Sequence, residues 1–343
     1  MRERLASGIL TELCVRLALI AAVGLVVVFL PSAFDDYFNY RLALVGIYFI
    51  AIAGLNVVTG YSGQMSIGHG AFMAFGAYTT TVLTTEYGVS EYWSIPIAGV
   101  LTGVFGLLFG FPALRLSGVY LALATFGLAV SVPLVAKKAS GWTGGSAGKV
   151  LPLPSSPIGA ISTNQWLSYL TWAIAAVLYV TAWLVLRGRL GRAFRAVRDA
   201  PIAAVASGLS LARIKTLAFG ISAAYAGVAG ALLAIAIAFV NPDTFPLSLS
   251  ILLLTGAVIG GLGSLEGMLL GAAFIQFVPK WSESISNHAP TVVYGLILLG
   301  ALLVAPGGAA DLIRRTIVSL KQTFSPLYSR TSRSSPATQR SET

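Results

Sequence analysis

The sequence predicts an all-α integral membrane protein: a polytopic bundle of about ten transmembrane helices, some broken by glycine. Three observations carry this. Charged residues make up only 10% of the chain and hydrophobic ones 56%, where a soluble domain holds about 25% charged residues. Mean hydropathy is +0.83, and apolar runs near span length recur along almost the whole chain. Basic residues then cluster in alternate connecting segments, as the positive-inside rule requires.

Taken in order, Met1–Arg16 is short and basic, and an apolar run follows to Leu30. It ends in Leu30-Pro31 without a small-residue cleavage pattern, so a retained first span from near Glu12 is expected rather than a signal peptide. Further spans are expected at Leu42–Thr59, Gly70–Thr85, Trp93–Leu114, Val119–Ala136, Leu167–Leu186, Thr216–Val240, Ser248–Leu262, Gly267–Pro279 and Thr291–Ala305. Gly260, Gly261 and Gly263 separate Ser248–Leu262 from Gly267–Pro279, which also fits a broken or re-entrant pair. One membrane domain over 1–310 and a cytoplasmic basic tail over 311–343, disordered at its end, are expected.

With the N-terminus inside, the cytoplasmic segments hold Arg2, Arg4, Arg16, Arg115, the cluster Arg187–Lys215 and the tail basics. The outside holds Arg41, Lys137, Lys138, Lys149 and Lys280. Both termini are then cytoplasmic and the net charge of +10 reads as topology, not as a nucleic-acid footprint. The outside loop 137–166 is rich in glycine and proline and has room for a short surface helix. Its Gly144–Lys149 only superficially resembles a phosphate loop. Thr143 stands at the first glycine position and Val150 follows the lysine, so ATP binding by this chain is rejected.

One stretch departs from plain lipid-facing helix. Gly54–Tyr78 reads GLNVVTGYSGQMSIGHGAFMAFGAY, with Asn56, Gly60, Tyr61, Gly63, Gln64, Ser66, Gly68 and His69 as its candidate site residues. Polar groups and irregular backbone at membrane depth are tolerated where they face protein or a water-filled cavity. Glycine-interrupted apolar segments point to transport sites. The stretch is therefore expected to line or gate a pathway. Its glycines alone fit close helix packing equally well.

The inside loop Arg187–Lys215 is the second feature. Ala193–Arg198 and Ile202–Ala206 are helix-compatible, and Asp199 is placed to cap a short helix carrying Pro201. Its arginines also suit anionic membrane lipid headgroups.

The sequence Gly54–Tyr78 resembles the signature of branched-chain amino acid ABC transporter permeases of the LivM type. The inside loop is similar to that family's docking loop. A basic run, Gly191-Arg192-Ala193-Phe194-Arg195-Ala196-Val197-Arg198, precedes Ala203-Ala204 and Gly208. Thr143–Ser146 and Gly256–Gly267 are similar to family motifs too, and the resemblance runs from about Leu42 to Gly307. Two departures stand out: Ile202 replaces the glutamate of the general docking pattern, and the Arg/Ser-rich tail is long.

The resemblance implies one permease half of an importer with a second, LivH-like permease subunit, two ABC ATPase subunits and an external or periplasmic solute-binding protein. ATP and magnesium would sit on the partner subunits, with no cofactor on this chain and no catalysis by it. Arg192, Arg195, Arg198, Asp199, Ala203, Ala204 and Gly208 would form the ATPase coupling loop. Branched-chain or related amino acids would cross the cytoplasmic membrane, with urea or short amides as the alternative solutes within the family.

Two other classes compete. Gly60-Tyr61-Ser62-Gly63 matches the G-x-S-G of rhomboid-type intramembrane serine proteases, with His69 or His288 as the base a nucleophile needs. A proton- or sodium-coupled transporter needs buried ionisable residues, and the middles of the expected spans hold none. Cys14 is the single cysteine, and the two histidines offer no metal-ligand spacing.

Overall fold

The computed structural model describes residues 35–113, 118–152, 161–285, 290–304 and 307–311. The expected first span, Arg115, His288 and the tail beyond Asp311 lie outside the described residues.

Almost everything described is helix. The order is α1 (Asp36–Asn56), running into a π turn at Val57–Tyr61, then α2 (His69–Thr85), α3 (Glu91–Ala113) and α4 (Val119–Lys138). A short α5 (Ser140–Thr143) precedes strand β1 (Lys149–Val150). Then come α6 (Thr163–Arg187), α7 (Arg189–Asp199), α8 (Pro201–Ala206), α9 (Leu211–Ile237) and strand β2 (Phe239–Val240). α10 (Leu247–Gly260), α11 (Gly267–Ile285) and α12 (Pro290–Val304) close the chain. Among the described residues, six helical segments are long and apolar enough to cross a membrane: Asp36–Tyr61, Glu91–Phe111, Val119–Lys138, Thr163–Arg187, Leu211–Ile237 and Pro242–Gly260.

α1 and α9 form the spine. Each is 78% buried over its apolar core, against 28% for α4 and for α6. Small residues let them approach their neighbours. A side chain on Gly54 of α1 would meet Tyr225 of α9, and one on Gly76 of α2 would meet the Gly227 backbone of α9 at 2.5 Å. Tertiary hydrogen bonds reinforce the apolar contacts: Tyr225 donates to the Leu178 carbonyl of α6 at 2.7 Å, and Trp172 Nε1 to the Leu42 carbonyl at 3.1 Å. Phe72, Phe105, Phe109 and Phe219 pack edge-on or tilted between α2, α3 and α9. The outward faces of α3, α4 and α6 present Val104, Leu108, Leu123, Leu134, Val177 and Leu184, as lipid or an apolar partner requires.

The two ends of the bundle differ. At one end β1 and β2 pair antiparallel, Lys149 bonds Glu86, and Lys137 meets Asp243 at 2.9 Å. The opposite end carries α7 and α8, the π turn and the turn between α10 and α11. Several boundaries differ from the sequence expectation: α1 already starts at Asp36, before Leu42, and α6 at Thr163, before Leu167, and three others have a local cause. α11 runs through Pro279 to Ile285, because one proline removes a single helical hydrogen bond and neighbours can cover it. α9 starts at Leu211, capped by Ser210, so Lys215 belongs to the helix and not to the loop. Val240 pairs in β2 and not in helix, since Ala238 turns left-handed at φ 55° and ends α9.

Candidate functional site

The glycine stretch, the α10–α11 turn and the end of α7 converge at the basic end. α1 loosens first into the π turn, and Gly63 then adopts φ +71°, a backbone that glycine takes without strain. Residues 63–68 run without helix until α2 starts at His69.

This irregular segment reaches well into the bundle. The Ile67 amide donates to Thr125 Oγ1 at 3.0 Å, and Thr125 lies six residues into α4, about 9 Å from its start. The Gly70 amide donates to Ser250 Oγ at 2.9 Å, and Ser250 lies ten residues from the end of α10, about 15 Å. α2 therefore begins within the bundle and not at its end. No side-chain cap precedes this helix, but the Ala71 amide donates to the Gly68 carbonyl at 3.0 Å. The free N–H groups that would hold an anion at a helix start are thus partly spent on protein.

Each sequence-predicted residue can now be placed. Asn56 is fully buried; its Nδ2 donates to the Ser264 carbonyl at 2.9 Å and its Oδ1 accepts from the Gly263 amide at 2.8 Å. It clamps the α10–α11 turn to α1. Gly60 leaves room for that clamp, because a Cβ there would fall on Asn56 Oδ1 and lie 2.5 Å from Gly263 N. Tyr61 is half-buried, within electrostatic range of Glu266, Arg195 and Arg198. Gln64 is buried, and its Nε2 donates to Ser62 Oγ at 2.7 Å and to the Lys215 carbonyl at 3.3 Å. Ser66 and Gly68 are buried, and Gly68 abuts the Thr125 carbonyl, 2.7 Å from where a Cβ would stand. The His69 ring bonds the Ala51 backbone of α1, and its Nε2 is buried without a partner. Only Gly63 and Met65 face outward between Ser62 and Gly70.

The loop residues divide in two. Arg192 and Arg195 are exposed on α7, while Phe194 and Val197 bury its other face. Ala203, Ala204 and Gly208 sit on and after α8; Ala204 is buried and the other two are exposed. Ile202, at 87% exposed, and Val205 project from the same short helix. Arg198 is exposed as well, yet its Nη1 reaches the Gly60 carbonyl and donates to it at 2.6 Å. Asp199 does not cap α8. The residue before that helix is Ala200, with no side-chain cap, and the Asp199 carboxylate accepts from Arg198 Nε at 2.7 Å instead. That bond holds the Asp199 carboxyl below the usual carboxylate range.

The protease geometry is not formed here. Ser62 Oγ is held by Gln64 and His69 by Ala51, while His288 lies outside the described residues. No group of three or more His, Cys, Asp or Glu suited to a metal ion occurs among the described residues. Sequence reasoning missed Thr125, Ser250 and the Gly263–Ser264 backbone as partners of the stretch. A hydroxyl inside an apolar helix, as at Thr125 and Ser250, is the signal that such a side chain can bond across helices.

A largely helical, multi-pass membrane protein with an irregular segment inside the bundle and a basic helical loop against it belongs to the membrane-embedded permease class. Residues 37–306 match the family described as branched-chain amino acid transport system / permease component, and the chain belongs to that family. It is 35% identical over 293 residues to the high-affinity branched-chain amino acid transport system permease protein LivM of Escherichia coli (strain K12), covering 78% of this chain and 68% of the relative. Similarity extends to LivH of the same organism, 25% over 281 residues, 76% of this chain and 90% of the relative. The autoinducer 2 import system permease protein LsrC of Klebsiella pneumoniae is 31% identical over 224 residues, 60% of each chain. No solved structure matches.

Proposed function

We propose that this chain is one permease half of an ATP-driven importer and passes branched-chain or similar amino acids across the cytoplasmic membrane. The observation that carries the reading is the contact between loop and stretch: a helical loop exposing Ile202 and Val205 is bonded through Arg198 to Gly60. Force applied to the loop thus reaches the irregular segment directly. The names of the relatives, LivM and LivH, support pairing with a second permease of LivH type. ATP and magnesium would reside on two separate ATPase subunits, this chain would bind no cofactor, and a solute-binding protein would deliver the solute on the other side.

In this reading the stretch from Asn56 to His69 acts as the gate, with most of its polar groups spent on holding a closed arrangement. Closure of the ATPases moves the loop 187–215, the Gly60 and Gly63 backbone shifts, and access alternates. Each state needs its own contacts for the ligand to bias it. A path lined by backbone, Gln64, Ser66 and Tyr61 carries no fixed charge, which suits release of a zwitterion. Urea or short amides remain the alternative solutes. The name of LsrC illustrates that members of the family differ in cargo.

About ten spans, the division at residue 310, the cytoplasmic tail and both termini inside complete the proposal. The grouping of Glu86, Lys137, Lys149 and Asp243 at one end, opposite α7 and α8, supports this alternation. The test is co-purification in mild detergent of the co-expressed ATPase with the wild-type chain and with Ala203–Gly208 replaced. Recovery with wild type and loss with the altered loop is expected. If wild type retains the second permease yet brings down no ATPase, the importer reading fails.

A further inference from the structure

Two turns and one loop meet on a single side chain. Arg198 is the penultimate residue of α7. Its Nη1 donates to the Gly60 carbonyl at 2.6 Å, while its Nε and Nη2 face the Asp199 carboxylate at 2.7 and 3.4 Å. The stem occupies the space a side chain on Gly63 would need, with Arg198 Cγ 2.5 Å from the position of a Cβ. On the far side, a Cβ on Gly263 would lie 3.6 Å from Nη1. Glycines from two separate turns thus pave a seat for one guanidinium. The Gly60 carbonyl is available because the helix ends there, and carbonyls of a last turn lack intrahelical donors.

The seat has a fixed chemistry. Arginine is planar and permanently charged, and can donate to two acceptors on different edges at once. Asp199 holds one edge, which leaves Nη1 aimed at Gly60. Within 187–215 Asp199 is the sole carboxylate, so no other acid of the loop competes for that guanidinium. α7 does not depend on the bond for its attachment, because Phe194 and Val197 are buried at 0% and 3% exposure. Arg198 therefore adds direction to a contact that hydrophobic burial already makes.

We infer that Arg198 is a positioning residue for transport, the rigid link through which movement of α7 displaces the Gly60–Gly63 backbone and, through Asn56, the Gly263–Ser264 turn. Asp199 orients it. Arg198 thereby leaves the set of residues that contact the ATPase and joins those that pass its motion inward. This rests on the importer reading given above.

The test uses the complete importer in proteoliposomes, with ATP hydrolysis and solute uptake measured on the same vesicles. Arg198→Ala is expected to assemble with the ATPase and hydrolyse ATP at a rate near wild type. Its uptake should fall about tenfold, the factor that ~1.4 kcal/mol of lost coupling produces, so the ATP used per solute rises. Arg198→Lys keeps the charge but not the two-edged fork, and should fall between. Gly63→Ala, which pushes on the Arg198 stem, should uncouple in the same way. A parallel fall of hydrolysis and uptake in an intact complex overturns the inference, as does unchanged uptake. Loss of the ATPase from the Arg198→Ala complex would make Arg198 a docking residue and also overturn it, while leaving the importer reading in place. Failure of the wild-type chain to recruit an ATPase would instead remove that reading itself.

Discussion

Replacing Asn56 by alanine removes the clamp between α1 and the α10–α11 turn. Asn56 is fully buried and makes two bonds, at 2.9 Å to the Ser264 carbonyl and 2.8 Å from the Gly263 amide. Alanine leaves both backbone groups without that partner, and an unsatisfied buried polar group costs about 1–3 kcal/mol. The sum is about 2–6 kcal/mol before relaxation. The turn is only partly buried, so water can take over part of the bonding, and the lower part of the range, about 2–3 kcal/mol, is expected. That changes the folding equilibrium about 30- to 150-fold. Chemical unfolding of the purified protein in detergent, followed by tryptophan fluorescence, measures it. Asn56→Asp is the informative companion. It keeps the volume and an acceptor for the Gly263 amide, but faces the Ser264 carbonyl with oxygen instead of N–H, so it must also destabilise. An Asn56→Ala protein within about 0.5 kcal/mol of wild type, the spread of an ordinary surface change, or an aspartate variant as stable as wild type, would refute the clamp.

Gly76→Ala sets a Cβ 2.5 Å from the Gly227 Cα and 2.7 Å from its carbonyl carbon; α2 and α9 must separate, a loss of about 1–3 kcal/mol for overpacking in the same unfolding assay. Gly127→Ala is its control. Nothing lies within 4 Å of that Cβ, so stability should hold or rise by up to about 1 kcal/mol through helix propensity. Lys149→Ala breaks an exposed pair with Glu86 and should cost no more than about 1 kcal/mol, less in high salt. The Asp199 carboxyl, held low first by its hydrogen bond from Arg198, stays ionised at neutral pH. Its contribution is present above the unfolded value and is lost only as pH falls through the lowered one; uptake should therefore show no step across the neutral range that Asp199→Asn removes. Gln64→Leu and Ser66→Ala should both slow uptake, and wild-type rates in both would remove those side chains from the gate.

Much of the fold was legible because the bilayer imposes one period and one length. Runs such as Val119–Ala136 contain few residues able to end a helix, and the structure extends that one only to Lys138. The short helices of the loop were legible from Pro201 and from the helix-compatible runs Ala193–Arg198 and Ile202–Ala206. The partners were not. Periodicity says that Asn56 must be satisfied but not by which backbone, because Gly263 and Ser264 lie more than two hundred positions away. The bond of Arg198 was hidden for a related reason. In the sequence it is one of several equivalent arginines on a basic helix, and its contact with Gly60 follows from where α7 ends. The Asp199 cap failed because a neighbouring guanidinium offered the carboxylate a charge-assisted bond, stronger than one to a neutral amide.

The glycines of the central stretch carry two separate jobs. Gly54, Gly70 and Gly76 are places where α9 or α10 comes close: Tyr225, Ser250 and Gly227 occupy the volume of the missing side chains. Alanine there would separate helices anywhere along the bundle, so these positions describe packing. Gly60 and Gly63 meet something else. Their neighbours are Asn56 of α1, the Gly263 amide and the stem of Arg198, all at the basic end, the last two from other segments of chain. Apolar packing across α1 and α9 resists sliding through the whole bundle, whereas hydrogen bonds of this kind can be exchanged when a segment moves, provided each buried group finds a new partner. In the proposed importer the spine would stay fixed and the Gly60–Gly63 junction would change.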